Sequence, residues 1–387
     1  MKWVVVGKDD PLVVSGGLNR FAEGYTTGLR ATGHEVEWLI SGAAQTPNAT
    51  SVASGGMAKR MLNFFIAGFT MPVDVDVVDS HFAMYGAPYL MGMRAGSLFR
   101  RRRSDRTRRP KVLVHFQGPW AQESVVAGQK VGLVTRLKSW LEKSALTKAE
   151  AVVVLSDGFV SVAHAMGAAV PDITIIEPGI NDEWFSEQNR SKGTEAHSKI
   201  EMLCVRRLTA RMGHLEFLES LERLDFHLAD APIRLHLVGI GEQGPAIETW
   251  IASHGRERSV LLHGRLDDGA LRRLGGSCTV AVVPTLQLEG YGLVVLEAMA
   301  MGLPVLSTGQ GGLRAAMGPW AQGDLVFELE STESVARAIA EAHRMSQSAD
   351  EIGGLIAFAK AHSWSDVAAQ TAELVGDVSP AGVSSLQ

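Results

Sequence analysis

Short runs of β-branched apolar residues alternate along the chain with longer stretches whose apolar positions recur every three or four residues. The first pattern suits strands buried on both faces, and the second suits amphipathic helices. The opening unit is explicit. Lys2 to Val6 predicts a strand, Ser15-Gly16-Gly17 a tight turn, Leu18 to Thr32 a helix closed by Gly33, and Glu35 to Ile40 the next strand. Further strands are predicted at Asp76 to Val78, Val112 to Phe116, Ala151 to Leu155 and Thr174 to Ile176. The polar segment Gln188 to Lys199 lacks hydrophobic periodicity and reads as a linker. The alternation then restarts, with strands predicted at Glu201 to Val205, Ile233 to Val238, Val260 to Leu262, Thr279 to Val283 and Pro304 to Leu306. Trp364 to Val375 reads as an amphipathic helix, and the Ser-, Pro- and Gly-rich tail from Gly376 is expected to fray.

Such alternation builds parallel sheets flanked by helices, here an α/β architecture used twice. Open parallel sheets bind ligands beyond the carboxyl ends of their strands, so two facing sheets would enclose a cleft where two substrates can meet. The 387 residues suit two domains, and 46% hydrophobic against 20% charged residues can supply both cores. A formal net charge of -5 argues against a nucleic-acid protein as a whole. Cys204 and Cys278 lie in separate apolar runs and read as reduced core thiols in strands. Met1-Lys2-Trp3 leads straight into a strand without a signal peptide, and the longest greasy stretch, Met61 to Val73, falls short of the roughly 20 residues of a membrane span. The expectation is a cytoplasmic protein, peripheral to a membrane at most.

The most informative segment runs from Leu288 to Ala300, where a predicted strand ending in Pro284 gives way to a glycine-bearing loop and a helix. Helix starts expose unpaired amides at a positive dipole end, a natural seat for a diphosphate. Glu289 and Glu297 bracket that start, and Glu297 falls one turn inside the helix on an apolar face. A buried carboxylate is costly unless it accepts hydrogen bonds, which ribose hydroxyls could donate. The bland alternative is a core helix with an incidental acid.

Glu289 to Glu297, followed by Ala-Met-Ala-Met-Gly-Leu-Pro-Val, resembles the E-x7-E region of the retaining glycosyltransferases of family 4, which have the GT-B fold of two facing Rossmann-like domains and a deep interdomain cleft. Ser15-Gly16-Gly17-Leu18-Asn19-Arg20 resembles that family's first glycine loop, Ile176-Glu177-Pro178-Gly179-Ile180 the segment entering the hinge, and Gly311-Gly312-Leu313 the loop after the donor site. The likeness covers nearly the whole chain. It implies an acceptor domain over 1–185, a nucleotide-sugar domain over 186–363, and a final segment, 364–387, whose helix crosses back to the first domain. It also implies that Glu289 contacts the donor sugar, that amides of Tyr291, Gly292 and Leu293 hold sugar and phosphate, and that Glu297 holds the ribose. Gly16 and Gly17 would let backbone approach the donor or acceptor. Arg207 matches an Arg that neutralises the leaving diphosphate. Met212 stands where the family has Lys, and Arg211, one place earlier, is expected to serve as the second cation. Surface placement is the bland alternative for Arg206, Arg207 and Arg211.

His115 and Gln117 lie two positions apart on one face of a strand expected to aim into the cleft. Gln117 stands where relatives often have His, and His115 could partly substitute, although it reads equally well as a core histidine. Gly239-Ile240-Gly241-Glu242-Gln243-Gly244 has a dinucleotide-like spelling but follows the second strand of its unit, so a turn is expected. Arg265 and Leu266 resemble the base-binding edge. Asp74-Val75-Asp76 precedes a strand and reads as a turn rather than a metal ligand set. Arg100 to Lys111 holds eight basic residues and one acid, Asp105, and reads as a flexible loop or as a foothold for anionic lipid or an anionic acceptor.

The expected activity is hexose transfer from a UDP- or GDP-linked sugar to a hydroxyl of a sugar, glycolipid or small molecule, with retention and without metal or cofactor. A sugar-nucleotide epimerase or phosphorylase on the same shell, and a non-catalytic nucleotide-sugar-binding subunit, are the alternatives.

Overall fold

The computed structural model describes residues 1–14, 16–100, 109–126, 130–166, 173–185 and 199–376. Ser15, most of the basic run (101–108), the predicted linker up to residue 198 and the tail from 377 lie outside them.

The first half is one seven-stranded sheet: β1 (Lys2–Asp9), β2 (Glu35–Ser41), β3 (Ala49–Ala53), β4 (Val77–Ser80), β5 (Lys111–Phe116), β6 (Ala151–Val154) and β7 (Ile173–Ile175), in the order β3-β2-β1-β4-β5-β6-β7. All neighbours are parallel. Its helices are α1 (Gly17–Ala31), α2 (Met57–Thr70), α3 (Ala83–Arg100), α4 (Trp120–Val126), α5 (Leu133–Leu146) and α6 (Asp157–Ala165). The second half has β8 (Ile200–Val205), β9 (His227–Leu228), β10 (Ala231–Val238), β11 (Val260–Gly264), β12 (Val280–Val283) and β13 (Val305–Ser307). They run in the order β11-β10-β8-β12-β13, with β9 antiparallel beside β10. Its helices are α7 (His214–Arg223), α8 (Gly244–His254), α9 (Asp268–Ser277), α10 (Leu293–Ala300), α11 (Leu313–Met317), α12 (Thr332–Met345) and α13 (Ala349–Lys360), and α14 (Trp364–Val375) closes the described chain.

Central strands are apolar throughout because helices cover both faces of each sheet, and every residue of β4, β6 and β12 is buried. The predicted strands are all present, with ends shifted by up to three residues. Asp74 begins no strand, as expected of a turn. Cys204 lies in β8, whereas Cys278 caps the end of α9 rather than standing in a strand; both are buried thiols outside any disulfide among the described residues.

The helix α14 begins at Ser363, whose hydroxyl accepts the Asp366 amide at 3.0 Å. It packs on α1 of the first half, where Phe21 and Trp364 meet edge to face at 5.1 Å. The approach is so close that a Cβ on Gly24 or Gly28 would lie 2.1 or 2.2 Å from Trp364, so both positions require glycine.

Candidate active site

Between the two halves lies a cavity of about 750 Å³. The first half contributes the β1–α1 loop and the ends of β4 and β5; the second contributes the loops after β8, β11 and β12 and the start of α10. Every site residue expected from sequence lines it, namely Gly16, Gly17, His115 and Gln117 on one wall and Arg207, Arg211, Arg265, Leu266, Glu289, Tyr291, Gly292, Leu293 and Glu297 on the other. A smaller pocket of about 450 Å³ shares Arg20, Arg265, Leu266, Leu293 and Glu297 and extends to Trp184.

The loop from β12 into α10 turns through left-handed Leu288 (φ 59°) and Gly292 (φ 96°), and no side chain caps the helix. Gly292, Leu293 and Val294 line the cavity, and the first amides of a helix have no acceptor within it. Glu297 is 6% exposed and accepts a hydrogen bond from Arg20 Nη1 at 2.8 Å, across the cleft. Arg20 also pairs with Asp268. Burial pushes the Glu297 carboxyl above its usual range, and Arg20 only partly offsets this; the attraction of Glu297 in turn raises the Arg20 pKa. The Tyr291 side chain turns away from the cavity: its buried hydroxyl meets Glu177 Oε2 and His362 Nε2, each at 3.3 Å. Only the backbone of Tyr291 is free to serve a ligand.

The three arginines are placed differently from one another. Arg206, for which sequence names no role beyond the bland surface alternative, donates to both Glu289 and Thr285, and its side chain is only 9% exposed. Arg207 is exposed on the cleft wall. Arg211, expected as the second cation, is committed to structure. The single 3-10 turn Ala210–Met212 aims it at the carbonyls of Leu288 (2.9 Å) and Gln287 (3.4 Å) and at Glu123 across the cleft (3.3 Å). These contacts tie it to the Glu289 loop, while it also lines the cavity. Met212 is buried, with the Thr285 hydroxyl 3.8 Å from its sulfur.

His115 takes up the core position that is its second reading from sequence: it is 2% exposed, and its Nδ1 lies 3.0 Å from Asp79 Oδ1 on the cavity floor. The second histidine of this cluster, His81, has Nε2 3.4 Å from Asp79 Oδ2 and Nδ1 3.2 Å from Gln117 Nε2. Burial would raise the Asp79 pKa, but the two imidazoles outweigh it and hold the carboxylate well below its usual range. Burial lowers the His81 pKa, leaving a neutral ring that accepts from the Gln117 amide and faces Asp79 with its N–H. The two rings stack with centroids 4.4 Å apart. The cluster thus works as a hydrogen-bonded support under Gln117. Register explains the assembly: β4 and β5 pair Ser80 with Val114, which sets the residues after them side by side.

The space beside Gly16 and Gly17 is open, since a Cβ on either would meet nothing within 4 Å. Gly239 and Gly241 are different. A Cβ there would lie 1.9 Å from Arg206 O and 2.2 Å from Leu208 O, so these glycines serve a turn packed on the loop after β8.

Residues 185–353 match the Glycosyl transferases group 1 family, and residues 16–179 match the Glycosyl transferase 4-like domain. The chain belongs to the family 4-type glycosyltransferases of GT-B fold. This glycosyltransferase is 25% identical over 347 residues to the glycogen synthase of Mycobacterium tuberculosis, covering 82% of this chain and 80% of the relative. The structure of sucrose-phosphate synthase from Thermosynechococcus elongatus shares its fold with a TM-score of 0.69 at 18% identity, covering 97% of this chain and 98% of that one. Anabaena HepE in complex with UDP-glucose does so with a TM-score of 0.71 at 16% identity, covering 96% and 98%. Among the described residues of the glycosyltransferase, no helix is long and apolar enough to cross a membrane.

Proposed function

We propose that the enzyme transfers a hexose from a nucleoside-diphosphate sugar to an acceptor hydroxyl, with retention at the anomeric carbon and without a metal. One observation carries this reading: Glu289, Glu297 and the uncapped start of α10 face a cleft that also holds Arg20, Arg206 and Arg207. Two carboxylates suit sugar and ribose hydroxyls, while free amides and guanidinium groups suit a diphosphate. That HepE was solved with UDP-glucose, and starch synthase IV of Arabidopsis thaliana with ADP and acarbose, supports the same class of donor and acceptor.

In this reading the diphosphate lies against the α10 amides and Arg207. The nucleoside occupies the pocket lined by Trp184, Arg265 and Leu266, where Glu297 exchanges Arg20 for the ribose. Glu289 holds the sugar, and Arg206, sitting on Glu289, adds the second positive charge in place of Arg211. Gln117 orders the acceptor side of the sugar. The bond from the anomeric carbon to the phosphate oxygen breaks as the acceptor oxygen attacks from the same face, and a phosphate oxygen takes the acceptor's proton. Closure around both substrates excludes water and aligns them. The basic run 100–111 offers an electrostatic foothold for an anionic acceptor or lipid.

A thermal-shift screen of UDP, GDP, ADP and their sugar conjugates tests the donor class, because a ligand specific to the folded state raises the melting temperature. One nucleotide and its sugar should stabilise the protein. The absence of a shift with all of them sinks the proposal. Incubating the stabilising donor alone separates transfer from epimerisation, which needs no acceptor.

A further inference from the structure

Large apolar side chains left exposed are distributed unevenly. Among the described residues from 199 onward there is one, Ile240. In the first half, α2 exposes Leu62, Ile66 and Phe69, and α5 exposes Leu133, Leu137 and Trp140, each set at the spacing of one helix face. Leu133 is 84% exposed and Trp140 54%. The steps from β3 to β4, β4 to β5 and β5 to β6 all move the same way across the sheet. Right-handed crossovers therefore put α2, α3 and α5 in one layer, and the helix contacts bear this out. Phe99, exposed at the end of α3, meets Phe69 of α2 with ring centroids 5.8 Å apart.

The exposed charge on α2, α3 and α5 themselves has one sign. Lys59, Arg94, Arg136 and Lys143 are exposed, and the only acid in the three helices, Glu142, is buried. The exposed Asp74 beyond α2 is tied to Lys2 at 3.0 Å.

From this juxtaposition we infer that the outer face of α2, α3 and α5 docks on an anionic lipid bilayer. Apolar side chains at helical spacing, a tryptophan among them, flanked by Lys and Arg without acids, are what an interfacial helix needs. The apolar groups enter the headgroup boundary while the cations meet lipid phosphates. Self-association through this face would set Arg136 and Lys143 against their own copies, a like-charge contact that disfavours a second chain as the occupant. The docked face adjoins the active cleft, since α4, whose Trp120 and Glu123 line the cavity, packs on α5. Resting on the transferase reading, the acceptor class that fits is a sugar or alcohol carried on a lipid.

The docking itself is tested without any assay of transfer. The full chain should co-sediment with phosphatidylglycerol vesicles, and not with phosphatidylcholine vesicles, and added salt should weaken the binding. The double variant Leu137→Glu, Trp140→Glu should partition at least about tenfold less, while its thermal shift with the stabilising nucleotide stays as in the parent. Both side chains are exposed, so folding is not at stake. Failure of the parent to bind phosphatidylglycerol, or equal binding to both vesicle types, overturns the proposal. Unchanged binding by the double variant alongside loss in a variant with serine at residues 101–103 also overturns it, assigning the contact to the basic run alone. A dimer in sedimentation velocity that the double variant dissociates would make the face a self-interface instead.

Discussion

Replacing Glu297 with alanine isolates the ribose contact. In the free enzyme the carboxylate is paired with Arg20 and almost fully buried. Each hydrogen bond from a hydroxyl to a charged carboxylate is worth about 1.5–3 kcal/mol, and a ribose can offer two. Displacing Arg20 uses part of that gain. The net loss on truncation is then about 3 kcal/mol, or roughly a hundredfold in nucleotide Kd. Glu297→Gln keeps an acceptor without the charge and should lose about tenfold. Arg20 remains paired with Asp268 and is 26% exposed, so the variant should melt only a few degrees lower, at about 2–4 °C per kcal/mol for a domain of this size. Titration calorimetry with the stabilising nucleotide measures the loss. Inorganic pyrophosphate, which has no ribose, supplies the control and should bind both proteins alike. Unchanged nucleotide affinity, or an equal fall for nucleotide and pyrophosphate, would refute the assignment.

Other outcomes follow from the same geometry. Arg206→Ala should lower kcat by about a hundredfold or more with a small effect on donor KM, as expected for a preorganised group that meets developing charge, whereas Arg211→Ala should act chiefly through loop order and lower the melting temperature. Steady-state kinetics and melting curves on both separate the two roles, and equal kinetic losses would contradict the division. His214 is buried with its pKa lowered to about 4 by burial and then by Arg206, so the unfolded chain binds more protons between pH 4 and 6.5 and stability falls as the pH drops through that window. Glu142, with its pKa pushed up to about 7 by burial, works the opposite way, costing stability as the pH rises from 4.5 through 7. Glu142→Gln should therefore stabilise the protein at pH 8, by at most about 3 kcal/mol, and leave stability at pH 4 nearly unchanged, as urea melts at the two pH values would reveal. Cys204, whose thiol is pushed up to about 12 by burial, and buried Cys278 should resist a thiol reagent until denaturant is added.

Much of this was legible in the sequence because it depends on local pattern. The apolar runs of β4, β6 and β12 fix buried parallel strands, and Glu289 to Glu297 carries its own loop and helix. The strand β3, Ala-Thr-Ser-Val-Ala, was missed because it is an edge strand of small residues, two of them exposed, and lacks an apolar run. Arg20 and Glu297 are 277 positions apart, and nothing local links them. The tie of Arg211 to the Glu289 loop depends on the direction in which a 3-10 turn points one side chain, which spacing does not encode. His81 and Asp79 escaped notice because they acquire meaning only beside His115, through the register of β4 with β5.

The return of α14 to α1 makes residues 199–363 a guest inserted within a host that holds both α1 and α14. The outgoing and returning stretches run side by side, with Ile180 bridged to Ser363 and its amide donating to His362 O at 3.0 Å, so a paired strap joins guest to host. Fluorophores attached at the amino terminus and on α14 would ride on the same body and stay silent during catalysis. A reporter of the proposed closure needs one label on the guest, on α12 for example, and one on the host.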